Sequence, residues 1–437
     1  MAGTSSSNQD YLRSLLSIPQ IYGARVSNRR DKIGILSNAT GRFELYSLPL
    51  GGSGLIQLSH GELERTPTPV IVWNTDDQDV VLSRDHEGDE LHDLYRFRLG
   101  SSEVEQLTHD RTCQRYPWEF SPDGRWLLFV SDKGVEGEAR KLDFWRLRVE
   151  AGAASRLTHH AQPIFPFPSR NAFRPDGKKI AYGASDTDDL NDVGVYVADS
   201  DGSRPELVYS VKKGSREVPV SWSPDGKKLA ISSDAFDRLR AGILDMETRE
   251  VRWMASGEYD EVSLEFSPDG RRLLARRTMG LRLALAVYDL AKDRVRTSPF
   301  QMSYKGEAGF TSDERWVVAV SDGSNQPNEI VRWNFETDEV QVLWSPRLGG
   351  VARDSLVAGR IVRYPTYDGR AIEALLVAPG SWREVSDFRP SSTSTAALHG
   401  SGLTSSTRWF SSWSPGDSWC FSPTSGAARA TGRRFAT

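Results

Sequence analysis

Cysteine is nearly absent from these 437 residues. Cys113 and Cys420 lie far apart and form no Cys-x-x-Cys pair, so neither a disulfide framework nor a zinc site follows from them. No apolar run is long enough to span a bilayer. An excess of charge is missing too: Lys and Arg number 55, Asp and Glu 59, and the formal net charge is −4. That balance disfavours nucleic acid and an anionic membrane as partners. The first ten residues, Met-Ala-Gly-Thr-Ser-Ser-Ser-Asn-Gln-Asp, carry no basic region and no apolar signal core, which predicts a cytoplasmic protein.

Turns and tryptophans are plentiful. Thirteen Trp, with scattered Gly and Pro, suit a β-rich, turn-rich fold. The organising stretch is Phe120-Ser-Pro-Asp-Gly-Arg-Trp-Leu-Leu-Phe-Val-Ser-Asp132. Pro122 presets φ, Asp123 can bond its own downstream backbone, and Gly124 tolerates the left-handed position. Trp126, Leu128 and Val130 then share one strand face and Leu127 and Phe129 the other, which predicts burial on both sides. The unit returns at Arg174-Pro-Asp-Gly177, Ser223-Pro-Asp-Gly226 and Ser267-Pro-Asp-Gly270. Weaker copies begin at Ser27, Asn74 and Ser312. Aligning Asp31, Asp77, Asp123, Asp176, Asp225, Asp269 and Asp313 gives seven copies at steps of about 44 to 53 residues. A period of that length built from strands means a β-propeller, one blade per copy.

Within each blade the turn and its strand are read first. A second strand with a central aromatic follows (Phe43–Leu48, Leu94–Leu99, Leu142–Val149, Val193–Ala198, Leu283–Leu290, Glu329–Phe335). A short last strand completes the unit. Ring closure is left open between the N-terminal strand near Ile21–Val26 and pairing within the last blade. Ahead of the propeller, Asp10–Ser17 reads as a short docking helix capped by Asp10 and stopped before Pro19.

Candidate site residues are few. Of the seven histidines (His60, His86, His92, His109, His159, His160 and His399), three end a blade in Gln57-Leu-Ser-His60, Gln106-Leu-Thr-His109 and Arg156-Leu-Thr-His159. Such regularity argues for architecture and against metal, whose ligands must converge. His159-His160 is read as loop rather than as a ligand pair. Asp85-His-Glu-Gly-Asp-Glu90 invites comparison with a calcium loop or a contact for a basic substrate. It lacks the bidentate Glu at the required interval and reads as an acidic hairpin turn, as does Ala184–Asp192. No cofactor is expected.

The propeller pattern ends near Pro346. After a linker at Gly349–Leu356, Ile361–Pro365 and Ala371–Ala378 read as a β-hairpin turning at Tyr367-Asp-Gly369. The Pro-Asp-Gly blades, Arg84-Asp-His-Glu-Gly-Asp-Glu-Leu91 followed by Leu94-Tyr-Arg-Phe97, and Tyr364-Pro-Thr-Tyr-Asp-Gly-Arg370 leading to Ala374-Leu-Leu-Val-Ala-Pro379 resemble the prolyl oligopeptidase family of serine peptidases. The nearest branch is that of acylaminoacyl-peptidases and dipeptidyl-aminopeptidases, and the resemblance covers roughly residues 10–388. It implies an all-β, seven-bladed propeller at 21–346, after an N-terminal tail and helix at 1–20. A linker and hairpin at 347–388 would open an α/β-hydrolase domain. Short peptides or acyl-peptides are the implied substrates.

The family continues with H-G-G-P, N-x-R-G-S-x-G-Y-G, a G-x-S-x-G elbow, then Asp and His. This chain instead turns to Ser, Thr, Arg, Ala, Gly and Trp from Pro390 and contains no G-x-S-x-G. With permitted codons read one base earlier, Pro390–Leu398 can be respelled P-V-V-D-I-H-G-G-P. In the same frame, Trp413–Gly432 can be respelled L-V-A-R-G-F-V-V-F-F-A-N-V-R-G-S-T-G-Y-G. Both respellings restore apolar strands. Residues 389–437 are therefore read as a frameshifted, disordered tail. No Ser, His or Asp stands at a triad position, and His399 precedes Gly400 by accident. The catalytic, cofactor and metal sites are accordingly each expected to be none.

Two other classes remain at this point. A stand-alone, Tol-type binding propeller conflicts with the extra hairpin. A propeller glycosidase or lactonase needs clustered Glu or metal ligands at the channel. The frame reading makes a direct prediction. DNA from codon 380 onward, read one base earlier, should spell H-G-G-P, N-V-R-G-S-T-G-Y-G, then G-x-S-x-G followed by Asp and His. A frame that spells nothing of the kind makes the tail authentic.

Overall fold

The Pro-Asp-Gly turn folds as its residues demand. In the computed structural model Gly124 lies at φ +72°, and its amide donates to the Ser121 carbonyl at 2.8 Å. The Asp123 carboxylate accepts the Ser121 hydroxyl at 2.6 Å and the Arg125 amide at 3.1 Å. The same bonds recur around Asp225, Asp269 and Asp313. In three copies a residue with a side chain holds the left-handed position: Arg30 (φ 60°), Asp77 (φ 59°) and Glu314 (φ 57°).

Two of these copies correct the sequence alignment. The Gln78 amide donates to Asp76 at 3.1 Å and the Asp77 amide to the Asn74 carbonyl. Asp76, not Asp77, is thus the turn aspartate of the second blade. In the first blade the Arg30 amide closes onto the Ser27 carbonyl at 3.0 Å, so Arg29 takes the aspartate position and Asp31 lies two residues on. Without the glycine, nothing in the letters marks the register.

The structure describes residues 3–378 apart from 53, 65–66, 102, 165–170, 255–258 and 305. Helix α1 (Gly3–Leu16) precedes the sheets. Blade 1 contains β1 (Ile21–Val26), β2 (Lys32–Ser37), β3 (Glu44–Pro49) and β4 (Ile56–Gln57). Blade 2 contains β5 (Val72–Trp73), β6 (Asp79–Arg84), β7 (Asp93–Arg98) and β8 (Val104–Gln106). Blade 3 contains β9 (Arg115–Phe120), β10 (Trp126–Ser131), β11 (Asp143–Arg148) and β12 (Ala153–Arg156). Blade 4 contains β13 (Lys179–Ala184), β14 (Gly194–Asp199) and β15 (Glu206–Tyr209). Blade 5 contains β16 (Glu217–Trp222), β17 (Lys228–Ser233), β18 (Arg240–Asp245) and β19 (Val251–Trp253). Blade 6 contains β20 (Asp260–Phe266), β21 (Arg272–Met279), β22 (Arg282–Asp289) and β23 (Arg294–Thr297). Blade 7 contains β24 (Gly309–Phe310), β25 (Val317–Gly323), β26 (Gln326–Asn334) and β27 (Glu339–Trp344). A hairpin of β28 (Arg360–Pro365) and β29 (Ala371–Leu376) follows.

Each blade is an antiparallel meander. The repeat read from sequence omits the innermost strand, which precedes the turn. Those strands are two residues long in β5 and β24, or mix charge and proline in β9 (Arg-Tyr-Pro-Trp-Glu-Phe), because they border the central channel. In blade 4 the described residues at the inner position make single bridges, Phe173 with Ile180 of the same blade and Asn171 with Ser221 of blade 5. The second strands are buried on both faces as expected, Leu127–Ser131 completely. Helix α1 begins seven residues before Asp10, which therefore lies inside it rather than capping it. No proline or internal glycine between Thr4 and Asp10 stops the helix.

Seven apolar clusters fill the seven joints between blades. The ring closes without strand exchange, since blades 1 and 7 each use their own consecutive strands. Their joint packs Ile21, Ala24, Val26, Ile33 and Ile35 against Val318, Val320 and Ile330. Across the channel end of this seam, Arg30 grips the Glu265 carboxylate with both Nη atoms (2.8 and 3.1 Å) and donates to the Phe310 carbonyl (3.0 Å). One side chain thereby ties blade 1 to blades 6 and 7. The Glu265 side chain is 1% exposed. Arg30→Ala strands a buried carboxylate and should cost about 3 kcal/mol, read as a lowered midpoint in urea unfolding. An unchanged midpoint would show that the apolar seam alone closes the ring.

Candidate functional site

In a four-stranded meander, the connection from second to third strand and the passage to the next blade share one end of the blade. The Pro-Asp-Gly turns lie at the other end. The chain enters and leaves on the first of these faces, the loop face. There the Gln20 amide donates to Asn38 Oδ1 at 2.6 Å, and Tyr11 of α1 meets Ser355 of the linker at 3.1 Å. The helix thus docks at the linker, beside the propeller. Arg353 and Ser345 both bond the buried Glu329 carboxylate, fixing the linker onto blade 7.

The hairpin stands on this face. The Gly359 amide donates to Ser324 Oγ at 2.6 Å, at the β25–β26 turn. Gly280, at the β21–β22 turn, lies so close to Glu373 that a Cβ there would collide with its carboxylate. Tyr364 pairs with Ile372 across the hairpin, and Gly369 takes φ +79° in its turn. Ala374 and Leu376 are buried, whereas Tyr367 at the tip is fully exposed.

Both acidic loops project from the same face. Asp89 Oδ1 accepts the amides of His86 (3.2 Å) and Leu91 (3.0 Å), and Asp189 Oδ1 accepts that of Asn191 (2.8 Å). These carboxylates close their own turns, as the hairpin-turn reading has it. Beside the first loop, Glu64 accepts the Asp85 amide, and its carboxyl is pushed up to about 7, first by burial and then by the nearby Asp85 charge. Among the described residues no group of three or more His, Cys, Asp or Glu side chains is arranged to hold a metal ion.

The blade-ending histidines are exposed, and the working atom of their motif is the hydroxyl one residue earlier. Thr108 Oγ1 accepts the Leu94 amide (2.9 Å) and donates to Asp93 (2.6 Å). Thr158 does the same with Phe144 (2.9 Å) and Asp143 (2.8 Å), and Ser59 with Leu45 and Glu44. His160 differs from its neighbour. It is buried, with Nδ1 3.0 Å from Asp186 Oδ1 and Nε2 3.0 Å from the Tyr182 hydroxyl, while Tyr196 donates to Asp186 Oδ2 at 2.9 Å. This has the outline of a proton relay. Burial raises the Tyr182 hydroxyl pKa, however, so that it stays protonated, and both rings are packed shut. The cluster clamps the blade 3–4 connection onto blade 4. His159-His160 showed in the sequence; the partners that separate their fates did not. His399 and the tail lie outside the described residues.

Two further glutamates stand on innermost strands, which border the channel. Glu119 in β9 and Glu265 in β20 occupy the same place, each just after a bulge in its strand. Each accepts amides of the next blade: Glu119 those of Ala172 (2.6 Å) and Phe173 (3.0 Å), Glu265 that of Phe310 (2.8 Å). Glu265 also holds Arg30. Among the described residues Glu119 forms no such ion pair, and burial pushes its carboxyl up to about 8 against the lowering effects of the Phe173 amide, the Arg25 charge and the Ala172 amide.

No family model matches the chain. Over 150 residues, 32% of the chain, it is 31% identical to the uncharacterized protein Atu1656 of Agrobacterium fabrum and covers 47% of it. Over 181 residues, 41% of the chain, it is 27% identical to the uncharacterized peptidase YuxL of Bacillus subtilis and covers 24% of it. The chain thus spans less than half the length of these relatives. In structure, 84% of the chain matches 60% of a Mycobacterium tuberculosis puromycin-hydrolyzing peptidase, with TM-score 0.67 at 18% identity. Prolyl endopeptidases match over a similar part. At such identities the likeness is one of fold: the propeller resembles those of prolyl-oligopeptidase-family peptidases.

Glu119 yields a pH prediction. Its carboxyl is held above the ordinary range, so the folded state keeps a proton that the unfolded state releases. The wild type should lose stability as pH rises from about 5 to about 8, and Glu119→Gln should lack that loss. Melting temperatures of both proteins across this window test it; parallel curves would contradict it.

Proposed function

We propose that the chain is the propeller portion of a prolyl-oligopeptidase-type serine peptidase and has no peptidase activity as written. The observation that carries this is the hairpin Arg360–Leu376, seated on the loop face directly after blade 7. In the family that the sequence resembles, such a hairpin opens the hydrolase domain, and the propeller caps the active site and restricts access to short peptides. The likeness of fold to a puromycin-hydrolyzing peptidase and to prolyl endopeptidases supports the same reading.

The chemistry of the family needs a Ser nucleophile, a His that takes its proton, an Asp that orients the His, and N–H groups for the oxyanion. None of these is carried over onto a residue of this chain. With the tail read as frameshifted, the intact protein would hydrolyse short peptides or acyl-peptides, and this chain would not. Its place is the cytoplasm, where the buried free thiol of Cys113 stays reduced. Nucleic acid and membrane are not its partners. Among the described residues no helix is long and apolar enough to cross a membrane.

The loop face exposes Leu16, Leu190, Tyr304 and Tyr367, which favours loose association through it and poor solubility. The test pairs two proteins. The chain as written should give no turnover of peptide or acyl-peptide substrates. A gene read one base earlier from about codon 390 should give turnover that a serine-directed inhibitor abolishes. Inhibitor-sensitive turnover by the chain as written would overturn the reading.

A further inference from the structure

The strand after each turn has a buried place near its loop-face end. Counting nine residues from the residue that opens each turn puts Leu36, Ser83, Val130, Gly183, Ser232 and Val320 there. All six are buried and none is charged. Blade 6 carries Arg276 at this place instead. Arg276 pairs in register with Val262 of β20 and Leu285 of β22. Side chains alternate along a strand, so Arg276 shares a face with Leu274, which packs into the joint between blades 6 and 7.

Other arginines sunk into the propeller have a carboxylate. Arg30 holds Glu265 (2.8 Å), Arg115 holds Asp93 (2.8 Å) and Arg277 holds Glu261 (2.7 Å). Among the described residues no carboxylate pairs with Arg276. Glu373 of the hairpin, beside Gly280 of the same β21–β22 turn, is taken by Arg363 (2.9 Å). The neighbour of Arg276 is the Tyr304 ring, whose centroid lies 5.1 Å from Cζ. Burial draws the Arg276 pKa below its ordinary value against the opposing effect of Tyr304, yet a guanidinium stays protonated. A charge set among apolar groups without a counter-charge costs stability. The fold gains nothing from it, which points to a partner from outside.

Tyr304 belongs to the connection between blades 6 and 7, and that connection is pinned on both sides. The Met302 amide donates to the Leu283 carbonyl and the Ser303 amide to the Val320 carbonyl, each at 2.8 Å. Tyr304 itself is 54% exposed on the loop face. The result is a fixed cation beside an open aromatic wall.

We propose that Arg276 and Tyr304 form a binding site for the carboxylate of a peptide, with the guanidinium taking the two oxygens and the Tyr304 ring the adjoining side chain. The planar fork of a guanidinium matches a carboxylate, and one cation matches its single charge. A C-terminal α-carboxylate and an Asp or Glu side chain offer the same group. The inference rests on the peptidase reading for the ligand's being a peptide, and its test reads binding rather than turnover.

Ligand-observed NMR titration of the full chain uses N-acetylated tripeptides: Ala-Ala-Phe with a free C-terminus, its C-terminal amide, and the amide of Ala-Asp-Phe. At least one acid should bind about tenfold or more tightly than the neutral amide, as a charged hydrogen-bonded pair gives. Which acid gains tells the α-carboxylate from the side chain. Arg276→Gln should abolish the preference. Arg276→Lys keeps the charge and should bind the acid better than Arg276→Gln does, a recovery that misfolding would not give. Equal binding of acids and amide, a preference that survives Arg276→Gln, or equality of the two variants would each overturn the proposal. Acid-selective binding lost in Arg276→Gln, together with no turnover by the protein read in the restored frame, would sink the peptidase reading and leave this site standing.

Discussion

Closing the ring is the constraint on which the other features depend. Seven sheets must meet end to end, and here no strand is shared across the seam. Closure rests on apolar burial between blades 1 and 7 and on the grip of Arg30 on Glu265. Arg30 adopts a left-handed backbone that costs a residue with a Cβ roughly 1–2 kcal/mol. The bidentate pair and the bond to the Phe310 carbonyl offset that cost, and they do so only when all three blades are in place. A local strain is thus coupled to the completed ring.

The channel shows how one position can serve two chemistries. Glu119 and Glu265 share a place in their blades and both collect amides from the next blade. Glu265 meets a guanidinium because the first blade carries Arg30 where most copies carry glycine. Glu119 forms no ion pair among the described residues and feels only the weaker Arg25 charge, and burial raises its carboxyl to about 8. The two joints therefore hold their glutamates by different partners although their backbones match.

Much of the blade was legible. The turn residues each have one conformational use, so four strong copies and the period identified the architecture, and the apolar runs located the second and third strands. The inner strands were not legible, because a channel wall is bordered by solvent and charge on one side and loses the apolar signature of a buried strand. Register slipped at Asp31 and Asp77, since the left-handed position there is held by Arg30 and Asp77 rather than by glycine. The acidic loops were legible as turns. The clamp around His160 was not, because Asp186, Tyr182 and Tyr196 reach it only through the packing of blade 4.

By itself the sequence determined the seven-fold repeat, the turn chemistry, the hairpin after the last blade and the break in composition at Pro390. These depend on neighbours along the chain, where residue type and spacing are enough. Only the tertiary structure decided how the ring closes, that the helix, linker and hairpin share one face, which of two adjacent histidines is buried, and which glutamate finds a cation. Those outcomes depend on groups far apart in the chain, such as residues 30 and 265, whose meeting is set by the packing of whole blades.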